Sequence, residues 1–317
     1  MSATKLPVGV WADQAGIAQA ARVIADGGTV AVPTETVYGL AARADSDQAV
    51  AGIYRAKGRP DFNPLIVHVP DLAAAERLAL VDDRARALAQ AFWPGALTMV
   101  LPRRADAGLA AAVSAGLPTV ALRCPAHGVM QALLRESGLP LAAPSANRSG
   151  GVSPTTAAHV AQSLGARVDL ILDGGASEQG IESTIVGLRD DGSWAILRPG
   201  PIEQARIAAV LGDHAGAMTS VARGIEAPGQ LASHYAPGKP VRLDAAAAEA
   251  DEFHIGFGAV AGDVNLSETG DLAQAAARLY ACLHAAAAAP KPRIAVAPVP
   301  QYGIGVAIND RLGRAAS

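Results

Sequence analysis

Residues 30–43 read VAVPTETVYGLAAR, an apolar strand that runs into a polar segment between a proline and a glycine. That segment carries four hydrogen-bonding side chains, those of Thr34, Glu35, Thr36 and Tyr38. Ligands of open α/β sheets bind beyond the strand ends, which makes this strand end a candidate site. We expect Thr34 to face a ligand, the other three side chains to hold the loop, and Gly39 to turn the chain away.

Helices and strands alternate around this stretch up to about residue 211. DQAGIAQAARVIADGG places apolar side chains on one helical face behind a capping Asp13 and leads into the strand. Capped helices are also predicted in DSDQAVAGIYRAK and DDRARALAQAFWPG, and strands in NPLIVHV, ALTMVLP, TVALRCP and VDLILDGG. ESTIVGL and SWAILRPG form a predicted hairpin across RDDGS. These patterns predict an α/β domain with a mixed sheet.

The chain changes character after residue 211. Residues 212–240 are rich in glycine and proline and show little periodicity, which predicts a linker. Strands in VRLD, EFHIGFG and RIAVAPVP, with a helix behind Asp271, then predict a second, small α/β domain over residues 241–317. GFGAVAG partly matches a dinucleotide fingerprint, but no amphipathic helix opens there, so we interpret it as a turn.

The composition limits the classes of function. The 317 residues are 50 % hydrophobic, enough for a full core and two domains. The chain has 26 Lys and Arg against 29 Asp and Glu, so stable nucleic-acid binding is not predicted. Cys124 and Cys282 match no zinc pattern and are expected to be buried free thiols. We find neither a membrane-spanning run nor a signal peptide, and we expect a cytoplasmic protein.

Four cations are the main candidates for ligand binding. The sequence contains no P-loop, no nucleophile-elbow serine motif and no HExxH motif. Lys57, Arg59, Arg123 and Arg198 stand instead at strand ends or in turns, and we expect no paired acids beside them. Such a set favours a multiply charged anionic ligand, such as a nucleoside triphosphate with a carboxylate.

Each of these residues also has a structural interpretation. Lys57 and Arg59 follow a helix, where cations often serve only the helix dipole. Alternation along TVALRCP places Arg123 on the strand face of Thr119, where it suits bidentate capture of a carboxylate or phosphate. A structural ion pair is the alternative for Arg123, and a satisfied core histidine is the alternative for His68.

Short polar side chains in loops form the second group of candidates. LAAPSANRSGGVSPT joins Ser145, Asn147 and Ser153 to a glycine pair, ahead of a helix predicted to start at 153–154. Backbone amides and hydroxyls in such a loop can hold phosphates, although ordinary loops have a similar composition. Ser183 begins one strand of the predicted hairpin, and Arg198 ends the other.

Taken together, the motifs resemble the threonylcarbamoyl-AMP synthase family, the YrdC-type enzymes, in its long form with an additional C-terminal domain. The matching segments are PTETVYGL, AKGRPDFNPLIVH, WPGALTMVL, TVALRCP, APSANRSGGVSPT, DGG, ESTIV, LRPG, APGQLASHYAP and GIGVAINDRLGRAA. The resemblance implies a YrdC-like twisted mixed sheet with flanking helices over residues 1–211. It further implies a linker or lid at 212–240 and a small Rossmann-like α/β domain at 241–317.

The implied activity is that of an L-threonylcarbamoyladenylate synthase, a nucleotidyltransferase of tRNA processing. Such an enzyme combines L-threonine, bicarbonate or CO2, and ATP, and it releases pyrophosphate. Magnesium would arrive with the ATP, and no protein metal site is expected. A separate tRNA threonylcarbamoyl transferase complex would use the product to modify the adenosine next to the anticodon.

The resemblance also implies roles for individual residues. The family's Lys/Arg pair maps to Lys57 and Arg59 as catalytic residues. The implied ATP contacts are Lys57, Arg59, Thr119, Ser145, Asn147, Ser153, Arg198 and, from the HYAP segment of the lid, Tyr235. The implied threonine contacts are Thr34, His68, Arg123 and Ser183.

Two other functions are compatible with a YrdC-like fold. One is an RNA-binding module without ATP-dependent chemistry, against which the slightly acidic net charge of -3 argues. The other is a carbamoyl-transfer factor of metalloenzyme maturation. That class carries cysteine-rich zinc-finger segments, which this sequence with two cysteines lacks.

Overall fold

A computed structural model describes residues 8–59, 63–212, 227 and 234–317 of the chain. The strands of the larger part are β1 (Val8–Trp11), β2 (Val30–Val32), β3 (Gly39–Arg43), β4 (Ile66–His68), β5 (Leu97–Pro102), β6 (Thr119–Arg123), β7 (Leu141–Ala142), β8 (Leu170–Asp173), β9 (Thr184–Leu188) and β10 (Trp194–Arg198). Its helices are α1 (Gln14–Ala25), α2 (Asp47–Lys57), α3 (Leu72–Glu76), α4 (Asp83–Phe92), α5 (Ala111–Ser114), α6 (Gly128–Ser137), α7 (Ala157–Leu164) and α8 (Gln204–Leu211).

The strands of this part form one mixed sheet. Over the described ranges their order is β1-β8-β2-β3-β7-β4-β6-β5-β9-β10. β1 and β2 run parallel to β8, and β4 runs parallel to β6, whereas β9 and β10 form an antiparallel pair. The predicted mixed sheet with flanking helices and the predicted hairpin are therefore confirmed.

The opening stretch forms two strands rather than one. β2 and β3 pair antiparallel, with Val32 opposite Gly39, so residues 33–38 make the connection. Gly39 is thus the first residue of the returning strand, and the expectation that it turns the chain away is wrong. The polar segment is thereby held at the end of a buried strand pair, whose Val32 and Leu40 are fully buried.

Side-chain caps fix where the helices start. Asp13 accepts a hydrogen bond from a first-turn amide of α1, and Ser46 and Asp82 do the same for α2 and α4. The helix predicted to start at 153–154 begins instead at Ala157, because Thr156 is its cap. Ser153 therefore lies in the connection before the helix.

The C-terminal part is a small α/β unit. Its strands and helices are β11 (Val241–Arg242), β12 (Glu252–Gly256), β13 (Val264–Asn265), α9 (Leu272–Ala288), β14 (Arg293–Val296) and α10 (Gly305–Ala315). The strands form a parallel sheet in the order β11-β14-β12-β13, and Asp271 caps α9. GFGAVAG is a turn between β12 and β13, as the sequence predicts.

The two parts of the chain share a hydrophobic cluster. Val37, Val152 and Ile181 of the larger part pack in one cluster with Tyr280 and other residues of α9. Most of the predicted linker, at 213–226 and 228–233, lies outside the described residues, so the boundaries at 211 and 240 stay predictions.

Two predictions from composition can be compared with the structure. Cys124 and Cys282 are both free and buried, as expected. Within the described ranges, no helix combines the length and the apolar character that crossing a membrane requires.

Candidate active site

The strand register brings the predicted residues to one sheet edge. β4 and β6 run parallel and place His68 opposite Arg123 at their ends, and Thr98 of β5 pairs with Arg123 from the other side. A cavity of about 50 Å³ lies at this edge. Predicted residues among its lining are Thr34, Arg59, His68, Arg123, Ser145, Ser183, Arg198 and Tyr235.

Four predicted ligand contacts do not line this cavity. Lys57 and Asn147 lie directly behind the Ser145 segment. Ser153 is fully buried and donates its hydroxyl hydrogen to Glu182 at 2.6 Å. Thr119 begins β6, whose other end carries Arg123, roughly 13 Å away at the usual rise per residue. The structure therefore does not bring Thr119 to the cavity, because strand-face alternation fixes only the face and not the distance along the strand.

Arg59 lines one end of the cavity and Lys57 lies behind that end, and neither has a carboxylate partner among the described residues. The Lys57 ammonium donates to the backbone oxygens of Ser145 at 2.5 Å and Asn147 at 2.6 Å. Arg59 donates to the backbone oxygen of Pro64 at 3.0 Å. Burial and the neighbouring Arg59 hold the pKa of Lys57 well below its ordinary value, and burial lowers the pKa of Arg59 to about 10. Two positive charges are thus crowded together against neutral acceptors.

Gly58 explains how these two cations come together. It ends α2 in the left-handed conformation with φ of 62°, which favours glycine. The chain therefore reverses between Lys57 and Arg59, and both side chains are buried. The helix-dipole interpretation is insufficient for them, since their side chains contact loops beyond their own helix.

Arg198 is held at the ends of the hairpin strands. It donates from Nη2 to the backbone oxygen of Ser183 at 2.9 Å and to its Oγ at 3.1 Å. The Ser183 hydroxyl also lies 2.7 Å from the Thr98 hydroxyl. Arg198 is buried, which lowers the pKa of its guanidinium. A network of neutral oxygens thus orients a third cation towards the cavity.

Arg123 has an acidic partner, contrary to our expectation of no paired acids. Its Nη2 donates to Glu35 Oε1 at 2.6 Å, and its Nη1 donates to the Thr36 hydroxyl at 2.8 Å. Both charged side chains are 5 % exposed. Burial alone raises the pKa of Glu35, but the charge and hydrogen bonds of Arg123 outweigh it and lower the pKa. Sequence proximity could not reveal this pair, because 88 positions separate the two residues.

In the polar segment at residues 34–38, more side chains reach the cavity than the single one that we expected. The Thr34 hydroxyl donates to the backbone oxygen of Val37 at 2.6 Å, and both Thr34 and Thr36 line the cavity. Tyr38 donates to the backbone oxygen of Gly175 at 2.6 Å and fastens the loop, as expected. Thr36 and Glu35 hold Arg123 and thus reach the site as well.

His68 is a buried neutral imidazole beside Arg123. Burial and the positive charge of Arg123 lower its pKa to about 3. Among the described residues its Nδ1 atom has no hydrogen-bond partner. Since it lines the cavity, the satisfied-core alternative does not describe it.

The end of the predicted lid fills part of the cavity. Tyr235 is 1 % exposed, has a φ of 64° and has a hydroxyl without a partner in the described part of the chain. Its ring lies against His234 with a centroid separation of 4.1 Å. The Ala236 amide donates to the backbone oxygen of Gly150 at 2.8 Å. The left-handed backbone of Tyr235 is a strained conformation, held by the packing around it.

Glu182 and His234 also line the cavity and were missed from the sequence. Glu182 directly precedes Ser183, and His234 directly precedes Tyr235, so adjacency to a predicted contact was the available signal. Across the residues that the structure describes, no three His, Cys, Asp or Glu side chains form a metal-binding group.

The mixed sheet and the cation-lined cavity at its strand ends define the class of this protein, an α/β protein whose site suits anionic ligands. Residues 22–200 match the Sua5_yciO_yrdC family model, described as Telomere recombination. Residues 202–317 match the model described as Threonylcarbamoyl-AMP synthase, C-terminal domain. The chain therefore belongs to the threonylcarbamoyl-AMP synthase family, and the resemblance seen in the sequence is confirmed.

Individual relatives agree with this assignment. The threonylcarbamoyl-AMP synthase of Bacillus subtilis is 48 % identical over 72 % of this chain, and that of Pyrococcus abyssi is 42 % identical over 70 %. The match spans 66 % of the length of each relative, slightly less than two thirds. The crystal structure of P. abyssi Sua5 complexed with L-threonine is 34 % identical, with a TM-score of 0.89 and 98 % of both chains covered.

Proposed function

We propose that this chain is an L-threonylcarbamoyladenylate synthase that uses L-threonine, bicarbonate or CO2, and ATP. The observation that carries the proposal is the division of charge between the two ends of one cavity, with Lys57 directly behind one of them. Three cations, Lys57, Arg59 and Arg198, face neutral oxygens, and a fourth, Arg123, is paired with Glu35. Membership in a family of threonylcarbamoyl-AMP synthases supports the same substrates.

Threonine takes the end of the cavity that contains Arg123. Three of the five N–H donors of Arg123 are used in the bonds to Gly95, Thr36 and Glu35, which leaves two for a carboxylate. Thr34 and Ser183 supply hydroxyls, and His68 lies near the amino or carbamate group. Since His68 is neutral, it adds no positive charge that would repel an ammonium group.

ATP takes the end that contains Lys57, Arg59 and Arg198. These cations would neutralise the phosphates, and Ser145, with Asn147 directly behind it, would hydrogen-bond the nucleotide or a water on its magnesium. The Asn147 Oδ1 atom is buried and has no partner among the described residues, which suits an oxygen-seeking Mg²⁺ shell. Ser153 acts through Glu182, to which it is bonded. Magnesium neutralises phosphate charge when it is bound.

The reaction consists of two bond-forming steps. The threonine ammonium group loses a proton to solvent, and the resulting amine attacks the carbon of CO2. The N–C bond forms, one C=O π bond breaks with its electron pair going to oxygen, and the nitrogen loses a second proton to solvent to give the carbamate. A carbamate oxygen then attacks the α-phosphorus, the bond from that phosphorus to the bridging oxygen breaks, and pyrophosphate leaves with the electron pair. Positioning of two anions and stabilisation of the departing charge are the main contributions of the protein.

The segment around Tyr235 acts as a lid. The cavity of about 50 Å³ is far smaller than the roughly 300–1,000 Å³ typical of ligand sites. Tyr235 and His234 therefore move when ATP enters, and closure then excludes water from the adenylate. The strained φ of Tyr235 and the unpartnered hydroxyl favour such a rearrangement.

Pyrophosphate release tests the proposal. We expect release from ATP to require both L-threonine and bicarbonate, and to stop when either is omitted. The adenylate product is identified by mass spectrometry. Pyrophosphate release that is independent of threonine would contradict the proposed function.

The proposed downstream partner is a tRNA threonylcarbamoyl transferase complex, and the proposed location is the cytoplasm. The complex consumes the product, and two buried free thiols fit a reducing compartment. The RNA-binding alternative is not favoured, since the net charge is -3 and the relatives are synthases. Salt-sensitive RNA binding without ATP turnover would be its signature.

A further inference from the structure

The carboxylate of Glu182 joins the cavity to the C-terminal unit. It lines the cavity and accepts a hydrogen bond from Ser153 Oγ at 2.6 Å. From α9, the Tyr280 hydroxyl lies 2.8 and 3.0 Å from its two oxygens. Burial alone raises the pKa of Glu182, but Arg311 and Arg198 outweigh it and lower the pKa to about 2. Glu182 is therefore an ionised group that depends on partners from both parts of the chain.

Arg311 of α10 is the cation that compensates this carboxylate. Its side chain is 0 % exposed, and its Nε donates to Glu182 Oε2 at 3.1 Å. Its Nη2 donates to the backbone oxygen of Glu182, and its Nη1 donates to the backbone oxygen of Pro199. One planar guanidinium thus links Glu182, which lies just before β9, to Pro199, which lies just after β10.

Those two positions flank the ATP end of the cavity. Glu182 directly precedes Ser183, and Pro199 directly follows Arg198. Arg198 in turn donates to the Ser183 backbone oxygen. Arg311 therefore fixes the distance between the start of β9 and the end of β10, and these two strand ends orient Arg198.

The same guanidinium also supports the lid. The Arg311 Cζ atom lies 5.7 Å from the centroid of the Tyr235 ring, within cation–π distance. The Tyr235 ring lies 5.6 Å from the ring of Tyr280. The position of α9 and α10 is thus transmitted both to the lid residue and to the Ser183–Arg198 pair.

We propose that Arg311 is a positioning residue for ATP, through which the C-terminal unit sets the geometry of Arg198 and of the lid. This proposal rests on the proposed synthase function. A lysine in its place keeps the charge but presents a single point donor, so it cannot bond Glu182 and Pro199 in the same plane. The threonine end, held by the Arg123–Glu35 pair, has no direct bond to Arg311 among the described residues.

Arg311→Lys tests the proposal, with Arg293→Lys as the matched control. Arg293 is also in the C-terminal unit and ion-paired, but it is partly exposed and bonded to Glu249 and Asp251 away from the cavity. We expect Arg311→Lys to lower kcat/KM for ATP by about 10- to 100-fold, as a misplacement of about 1 Å does. The calorimetric Kd for L-threonine changes less than kcat/KM for ATP, by about threefold at most, because Ser183 is the threonine contact bonded to Arg198, and Arg293→Lys changes neither constant.

The comparison must separate positioning from folding. If Arg311 only stabilises the fold, Arg311→Lys lowers the melting temperature while kcat and KM per folded molecule stay unchanged, and this result overturns the proposal. If Arg311→Lys does not fold, Tyr280→Phe is used in its place. This substitution removes the hydroxyl that hydrogen-bonds the Glu182 carboxylate. A rise in the Kd for ATP of about threefold or more supports the proposal, and an unchanged Kd overturns it.

Failure of the proposed function gives a different pattern. In that case the unsubstituted protein shows no threonine-dependent pyrophosphate release, whatever the substitution at residue 311. Binding of ATP, measured by calorimetry without turnover, still reports on Arg311. Equal ATP affinity in Arg311→Lys and the unsubstituted protein would then overturn the positioning role by itself.

Discussion

The two ends of the cavity hold their cations in opposite ways. At one end, Arg123 is paired with Glu35 at 2.6 Å in a buried ion pair. At the other end, Lys57 donates to the backbone oxygens of Ser145 and Asn147, and Arg59 to that of Pro64. The first end is balanced in charge, whereas the second retains uncompensated positive charge.

This difference matches the two proposed substrates. Free threonine is a zwitterion without net charge, and a balanced site can meet its carboxylate without attracting other anions strongly. ATP brings several negative charges, which compensate the charge of Arg59 and favour the charged form of Lys57 that burial opposes. Neutral acceptors also release a cation to phosphate more readily than a carboxylate does.

The largest effect is expected from Lys57→Ala, which removes a cation from the uncompensated end. We expect turnover of ATP to fall by about 10³-fold, since a preorganised charge at the departing pyrophosphate is lost. The fold persists, because burial opposes the charged form of Lys57. Pyrophosphate release and circular dichroism check the two parts. Lys291→Ala, at a partly exposed ion pair of the C-terminal unit, is the control. Near-normal turnover of Lys57→Ala would remove Lys57 from the catalytic set.

Arg123→Met breaks the balanced end. Leaving Glu35 as an unpaired buried charge is expected to destabilise the fold by about 3–5 kcal/mol, measured by urea unfolding. The KM for threonine rises by about 100-fold, because a charged hydrogen bond to the carboxylate is lost.

A second substitution separates these two effects. Glu35→Gln combined with Arg123→Met removes both charges, so we expect most of the stability to return. The weak threonine binding persists, since no cation is restored. Recovery of normal threonine affinity in the double variant would show that Arg123 is only structural.

A smaller effect is expected from acid. His68 and His234 are buried with pKa values of about 3, below the ordinary 6.5. Their neutral forms contribute stability that is present above pH 6.5 and is lost as the pH falls towards 3. Between pH 7.5 and 5.5 the free energy of unfolding falls by about 1 kcal/mol for each histidine.

Thermal unfolding across this pH range checks the prediction. His68→Gln removes one of the two titrating groups, so its stability falls less steeply with acid than that of the unsubstituted protein. Identical pH slopes in the two proteins would show that His68 does not stay neutral in the fold.

The smallest effect is expected from Thr119→Val. Thr119 lies at the far end of β6 from Arg123, so kcat and the KM for ATP stay within about twofold. Ser183→Ala, which changes a residue that lines the cavity, is the comparison. We expect it to weaken the binding of threonine and of ATP, because the hydrogen bonds of the Ser183 hydroxyl to Thr98 and Arg198 are lost. A tenfold rise in the KM for ATP in Thr119→Val would return that residue to the ATP site.

The sequence predicted the alternation of helices and strands, and most of the cavity, because strand ends and capped helices are local patterns. Asp13 and Asp271 cap the helices that the periodicity predicts. The pairing of Arg123 with Glu35 was not predictable in this way, since it depends on the order of strands in the sheet. Arg311 was missed for the same reason, because 129 positions separate it from Glu182.

Local patterns also misplaced some residues. Thr119 and Arg123 share a strand face, but only one end of β6 reaches the cavity. The helix after Ser153 starts later than predicted, because Thr156 provides a better cap than the earlier Ser-Pro pair. The position of a residue along its strand and the choice of helix cap are therefore the two features that the local patterns did not predict correctly.

The most direct test is a calorimetric comparison of Lys57→Ala and Arg123→Met, each titrated with ATP and with L-threonine. We expect a crossed result, in which Lys57→Ala loses affinity for ATP but retains threonine binding, and Arg123→Met loses threonine but retains ATP binding. Loss of the same ligand in both variants would contradict the division of the cavity into a balanced threonine end and an uncompensated phosphate end.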